Sequence, residues 1–379
     1  MSKKNNMLNA AVLPNADHWH KSCVHEECTM HQLSPYIGKL KSSIASELIS
    51  SYSRPGDLVV DPFSGSGTVP LEASLLGRNV FAADISPYSY VLTMGKLSAP
   101  SNLEQAIYEA KRMLQYSRMR NKIDLRTVPK WIRNFFHPDT LKEAIAFADT
   151  CIKHKNYFLF SCLLGILHHQ RPGFLSFPSS HLVPYLRDKS FPERKFPELY
   201  EYRELESRLF SKIKRAYKRV DNIGMRGRYK FEKGEIDTIK FPKQFDCLIT
   251  SPPYMNTLDY VRDNRLRMWF TNRDFNDVLD DYSLNNKKSF IHGIKCLAEN
   301  TSKRLTKGGH AILVVGEKSH NKNVNNHPSK LVMEIFDEFA GNLSLMATVD
   351  DNIPDIRRAR RDCQDIKKEE ILIYKKSRA

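Results

Sequence analysis

No stretch of this 379-residue chain approaches the roughly 18 apolar residues that a membrane-spanning helix needs. The opening residues Met1-Ser2-Lys3-Lys4-Asn5-Asn6 lead into no apolar run, so neither a signal peptide nor an anchor is expected, and the expected location is cytoplasmic. Cysteines are few and irregular, at positions 23, 28, 151, 162, 247, 296 and 363. An odd, scattered set of seven is not a disulfide framework and fits a reducing compartment. Internal repeats and low-complexity tracts are absent as well, which excludes solenoids and fibrous arrays. Acidic side chains are in deficit: 43 Asp and Glu face 59 Lys and Arg, a formal charge of +16. Such a surplus favours a polyanionic partner, because each phosphate neutralised releases condensed counterions. What the chain does have is 41% hydrophobic and 10% aromatic residues, enough for a sizeable core.

The order of elements is that of an α/β protein. Residues 1–34 are polar, His-rich and weakly periodic, and are expected to form an N-terminal arm. From Pro35 to Ser51 the apolar positions Ile37, Leu40, Ile44, Leu48 and Ile49 fall at helical spacing. Arg54-Pro55-Gly56-Asp57 forces a turn, and Leu58-Val59-Val60 reads as a buried parallel strand. That strand runs into Asp61-Pro62-Phe63-Ser64-Gly65-Ser66-Gly67-Thr68, after which a helix is expected until Gly77. Asn79–Ala83 is a second strand ending on Asp84, with Ser86-Pro87 placed as an N-cap and first-turn proline. Strand character returns at 245–250, 310–315, 343–349 and 370–374, and helical character at 285–304 and 328–340. The expected fold is a doubly wound, Rossmann-like sheet made from 35–100 and 226–379. The interval 101–225 is basic, aromatic and mostly helical in pattern, and reads as an insertion.

Two motifs carry chemistry. Gly65 and Gly67 allow a tight strand-to-helix turn in which backbone can approach a ligand, with helix N–H groups behind it. Asp84, nineteen residues after Gly65, stands where an acid can hydrogen-bond a ribose diol. Pro70 replaces the third glycine of a dinucleotide fingerprint, and no Gly-Lys-Ser/Thr ending makes a P-loop. The turn therefore suits an adenosine moiety without saying which. The second motif is Ser251-Pro252-Pro253-Tyr254, straight after an apolar strand. Two prolines stiffen the turn at the sheet edge where α/β proteins bind ligands. A fixed serine hydroxyl and the Pro252 carbonyl can accept both protons of an exocyclic amino group, and Tyr254 offers a face for an extruded base.

Together these motifs resemble the amino-methyltransferases of restriction–modification type, which combine a Phe-x-Gly-x-Gly cofactor loop with an (Asp/Asn/Ser)-Pro-Pro-(Tyr/Phe/Trp) catalytic loop. The resemblance spans about 35–97 and 228–316. It implies a Rossmann-like methyltransferase fold and S-adenosylmethionine as cofactor. On the matching positions, Tyr36, Asp61, Pro62, Phe63, Ser64, Gly65, Gly67, Thr68, Asp84, Ile85, Ser86 and Glu235 would bind the cofactor. Ser251, Pro252, Pro253 and Tyr254 would be catalytic. A serine in first position is typical of cytosine-N4 enzymes, so the resemblance implies N4 methylation of a flipped cytosine in nucleoid DNA, with a restriction endonuclease as companion. Adenine-N6 methylation is the nearest alternative. Guanine-N2 methylation of RNA and a non-catalytic cofactor-sensing module are more distant ones. The cofactor loop precedes the catalytic loop by about 180 residues, which makes 101–225 the candidate target-recognition region.

The remaining features are weaker. His20, Cys23, His25, Cys28 and His31 form a His/Cys cluster, but no Cys-x-x-Cys pair is present and amine methylation needs no metal; none is assigned. No cysteine follows a proline, so the Pro-Cys nucleophile of carbon-5 cytosine methylation is missing. Asn256, Asp259, Tyr260, Arg262 and Arg265 follow the catalytic loop and could flank the target base. The basic runs 212–228 and 357–361 could contact a nucleic-acid backbone or be solvated surface.

Overall fold

The computed structural model describes residues 13–20, 27–36, 38–119, 123–169, 171–177, 187–220, 223–224, 227–253, 260–273, 287–316, 327–353 and 367–378. In chain order the elements begin with α1 (Ala16–His20), α2 (Ser42–Tyr52), β1 (Leu58–Asp61), α3 (Thr68–Leu75), β2 (Asn79–Asp84) and α4 (Pro87–Leu97). A helical stretch follows: α5 (Leu103–Arg118), α6 (Lys130–Arg133), α7 (Pro138–Lys153), α8 (Tyr157–Ile166), α9 (Arg187–Ser190) and α10 (Leu205–Ala216). The chain then returns to the sheet through β3 (Tyr229–Lys233), β4 (Phe245–Thr250), α11 (Tyr260–Thr271), α12 (Lys287–Arg304), β5 (Leu305–Gly316), α13 (Pro328–Phe339), β6 (Leu343–Ile353) and β7 (Lys367–Lys376).

The fold is a doubly wound, Rossmann-like α/β sheet of strand order β3-β2-β1-β4-β5-β7-β6. The first five strands in that order pair parallel, and β7 lies antiparallel between β5 and β6. Strand order reverses between β1 and β4, and the crevice at their carboxyl ends is where such sheets bind ligands. Burial on both faces explains the unbroken apolar runs. Val59, Cys247, Ile249, Ile312 and Val314 face one way, against α2 and α3; Val60, Leu248, Ala311, Leu313 and Val315 face the other, against α12 and α13.

Helices α5, α7, α8 and α10 bury their apolar residues in one core with Tyr88, Val91 and Leu92 of α4 and with Leu266, Trp269 and Phe270 of α11. The helical region is thereby built onto α4 and α11. At the N-terminus, Trp19 is fully buried against the sheet, and its indole N–H donates to Asp351 of β6 at 3.2 Å, across 332 residues of sequence. Two local outcomes differ from the sequence pattern. The helix expected from Pro35 begins only at Ser42, because Gly38 takes a left-handed conformation (φ +76°). Strand β3, a polar sheet edge, carries no apolar run to announce it.

Candidate active site

The glycine turn 64–68 is held by its own backbone and by buried side chains. Ser64 N–H donates to the Ala83 carbonyl at 3.0 Å and Gly67 N–H to the Ser64 carbonyl at 2.7 Å, closing the turn. Gly67 caps α3 at φ +72°, and a Cβ there would meet Thr93 at 2.7–2.8 Å, so glycine is required twice over. Gly65 (φ +48°) lies under the ring of Tyr36, with 3.3 Å between a notional Cβ and the ring. Tyr36 is fixed in turn by stacking on Tyr88 (5.9 Å) and by a 3.3 Å contact between its hydroxyl and that of Ser89. From behind, the buried Lys96 ammonium donates to the Ser66 carbonyl at 2.5 Å; burial lowers its pKa to about 7.

The two acids of the site are held differently. Asp61 is 3% exposed and accepts the Thr250 hydroxyl at 2.6 Å and the Phe63 N–H at 3.3 Å. Burial raises its carboxyl to about 7, against the pull of those two donors. Asp84 accepts Gly65 N–H on one oxygen and Ser86 N–H on the other, each at 2.9 Å. Burial raises its pKa too, opposed by the same two N–H groups and by the Ser89 hydroxyl. These bonds tie the glycine turn to the start of α4, and with the Ser89 hydroxyl as a third donor the carboxylate keeps acceptor capacity for one ligand hydroxyl. Ser86 caps α4 by accepting Ser89 N–H at 3.4 Å.

Ser251 and Pro253 reach the same place from β4. A cavity of about 570 Å³ is lined by Tyr36, Asp61, Pro62, Phe63, Ser64, Gly65, Thr68, Asp84, Ile85, Ser86, Glu235, Ser251 and Pro253. That volume lies within the roughly 300–1,000 Å³ of small-ligand pockets. Thirteen of the residues expected from sequence thus share one cavity. Pro252 is buried and Gly67 packs on Thr93; neither is among the lining residues. Tyr254 lies outside the described residues, as do Asn256 and Asp259 and the side chains of Tyr260 and Arg262. Ser251 Oγ donates to the Val314 carbonyl of β5 at 3.1 Å. Its single proton is therefore engaged, and the hydroxyl presents lone pairs to the cavity it borders.

Several lining residues have no counterpart in the sequence motifs: Lys39, Asp237, Asn264, Met268, Lys288, Ser289 and His292. Asn264 and Met268 are four apart on α11, and Lys288 and His292 four apart on α12, a helical spacing that could have flagged them. Arg265 turns away instead and places its guanidinium 4.0 Å over the Trp131 ring. Of the His/Cys cluster, His31 is buried and paired with Glu72 at 2.6 Å, and burial lowers its pKa to about 4. Cys23, His25 and the His20 side chain lie outside the described residues, as does the basic run 357–361. Among the described residues no group of three His, Cys, Asp or Glu side chains is placed to hold a metal, and no helix is long and apolar enough to cross a membrane.

Residues 2–94 match the family model described as DNA methylase. The chain is 32% identical over 68 residues to the type II methyltransferase M.MjaII of Methanocaldococcus jannaschii, covering 18% of this chain and 13% of that protein. It is 26% identical over 274 residues to the type II methyltransferase M.BsoBI of Geobacillus stearothermophilus, covering 65% of this chain and 53% of that one. The chain therefore spans at most about half the length of these curated relatives. A solved structure, TrmN from Thermus thermophilus, overlaps 89% of this chain and 50% of its own at TM-score 0.36 and 11% identity, a likeness too loose to bear on function. The glycine turn lies inside the segment that is similar to DNA methylases, and the Ser-Pro-Pro loop lines the same cavity as that turn.

Proposed function

We propose that this protein is an S-adenosylmethionine-dependent DNA methyltransferase that modifies the exocyclic N4 of a cytosine flipped out of the helix. The observation that carries the reading is the Ser251–Val314 hydrogen bond at the edge of a cavity that also holds the glycine turn and Asp84. When bound, the cofactor supplies an electrophilic sulfonium methyl group. The residues fit it: Asp84 has acceptor capacity for a ribose hydroxyl, Glu235 borders the same end, and the buried Asp61 carboxyl suits a cationic ligand group, which would return it to its ionised form.

The protein's own part is positioning. Ser251, its proton given to Val314, accepts one amino proton of the base, and the Pro252 carbonyl accepts the other. Both acceptors draw the nitrogen lone pair out of conjugation and turn it toward the cofactor. Tyr254 stacks on the base. The helical region 101–225 carries target recognition, and the net charge of +16 supports a nucleic-acid backbone as partner. The type II designation of the two relatives supports a companion endonuclease.

The test is methyl transfer from labelled cofactor to DNA and RNA, followed by nucleoside mass spectrometry. N4-methylcytosine in DNA is expected, and Ser251→Ala should lower its formation at least a hundredfold with cofactor affinity retained, about the loss seen when one acceptor or donor of a reacting group is removed. Full activity of Ser251→Ala would refute the mechanism. N6-methyladenine as the product would move the target to adenine.

A further inference from the structure

Beside Asp84 the cavity is bounded by two further elements. One is the turn 234–237 after β3, and the other is the first two turns of α12. Gly234 N–H donates to the Asp84 carbonyl at 3.2 Å, which seats the turn against the end of β2. Below the surface, Ile236 and Ile239 pack in one core with Phe290 and Ile294 of α12. At the surface, His292 Nε2 and Asp237 Oδ2 meet at 3.2 Å, joining the two elements across 55 residues of sequence. Lys288 and Ser289 stand one turn before His292 and line the cavity with it. The His292 and Asp237 side chains are 58% and 38% exposed. An ion pair so wet adds little to folding. Its two members nonetheless line one ligand cavity from opposite elements, so its effect falls on what the cavity holds.

We infer that the start of α12 is a retaining wall for the adenosine end of the cofactor, and that His292 and Asp237 are positioning residues that hold this wall against the turn 234–237. The inference rests on the methyltransferase reading of the site. A neutral or protonated imidazole can donate from Nε2 to the carboxylate, so the contact does not depend on one charge state. S-adenosylmethionine and its demethylated product share the adenosine end. The contact therefore slows the departure of both alike, unlike residues at the methyl-bearing end, which distinguish the two ligands.

The experiment measures dissociation of S-adenosylmethionine and S-adenosylhomocysteine by stopped flow from the full chain and from His292→Ala, Asp237→Asn and the double variant. Thermal unfolding of each ligand-free protein is recorded in parallel. Each single variant should release both ligands roughly two- to fivefold faster, the effect of losing one exposed pair. The double variant should be no faster than the faster single, since the second change removes nothing further. Ligand-free midpoints should stay within about two degrees of the unmodified protein, as expected for an exposed pair. Unchanged release, additive effects in the double variant, or faster release accompanied by a large fall in the ligand-free midpoint would each overturn the inference. Failure of the unmodified protein to bind either ligand would instead overturn the cofactor reading, and this inference with it.

Discussion

Replacing Asp61 by Asn should make the ligand-free protein more stable at neutral pH and poorer at binding its cofactor. Asp61 is 3% exposed, and burial raises its carboxyl from an ordinary 3.8 to about 7. The folded state thus holds a proton that the unfolded chain releases between those values. Stability from this group is fully present below pH 4 and is lost as pH rises to about 7. The loss is on the order of 4 kcal/mol, an upper figure because partial water entry would soften it. Asparagine is neutral throughout and can still accept the Thr250 hydroxyl through its amide oxygen. Denaturant unfolding of both proteins at pH 4, 5.5, 7 and 8.5 reads the difference directly. The gap should be small at pH 4, widen in favour of Asp61→Asn up to about pH 7, and stay flat above. Cofactor affinity of the unmodified protein should weaken as pH falls below 7, approaching tenfold per pH unit, and the variant should lose that dependence. A stability gap that does not vary with pH, or an Asn variant less stable at pH 8.5, would refute the claim that this carboxylate is desolvated.

Other outcomes follow from the same geometry. Gly67→Ala forces a Cβ into Thr93 at a positive φ, and should cost about 2–4 kcal/mol in denaturant unfolding; a loss below about 0.5 kcal/mol would contradict that crowding. Asp84→Ala removes the acceptor of both Gly65 N–H and Ser86 N–H, so cofactor affinity by calorimetry should fall at least tenfold. Lys96→Met removes a buried ammonium whose pKa burial lowers to about 7, so its destabilising effect is full below pH 7 and relieved as pH rises to 10.5. The stability of Lys96→Met relative to the unmodified protein should therefore be most favourable below pH 7 and decline above it, read by the same unfolding series.

Much of the seven-stranded sheet was legible because its strands are short apolar runs bounded by turn residues, and two rigid motifs end two of them. Other parts were not, for identifiable reasons. Strand β3 is an edge whose Lys230 and Glu232 side chains pair with each other rather than with a core, so no apolar run marks it. The start of α2 is hidden in the sequence because apolar spacing spans Gly38, whose left-handed backbone precedes the helix while Leu40 stays buried. The role of Val314 could not be read at all: a backbone carbonyl 63 residues from Ser251 carries no side-chain signature. Asn264 and Met268 line the cavity from a helix that also packs on the helical region, with Arg267 donating to the Leu164 carbonyl. Which side of such a helix faces a ligand is decided by tertiary packing.

The clasp between Trp19 and Asp351 gives the order of synthesis a meaning. An indole near the start of the chain waits for a strand made more than three hundred residues later. Until β6 and β7 emerge, the side of β5 that pairs with β7 is open and the Trp19 indole, packed with α2, lacks its Asp351 acceptor. Completion of the sheet pairs β5 with β7 and supplies the Asp351 acceptor. Assembly of this sheet from the ribosome should therefore include a long-range closing event that waits for β6 and β7.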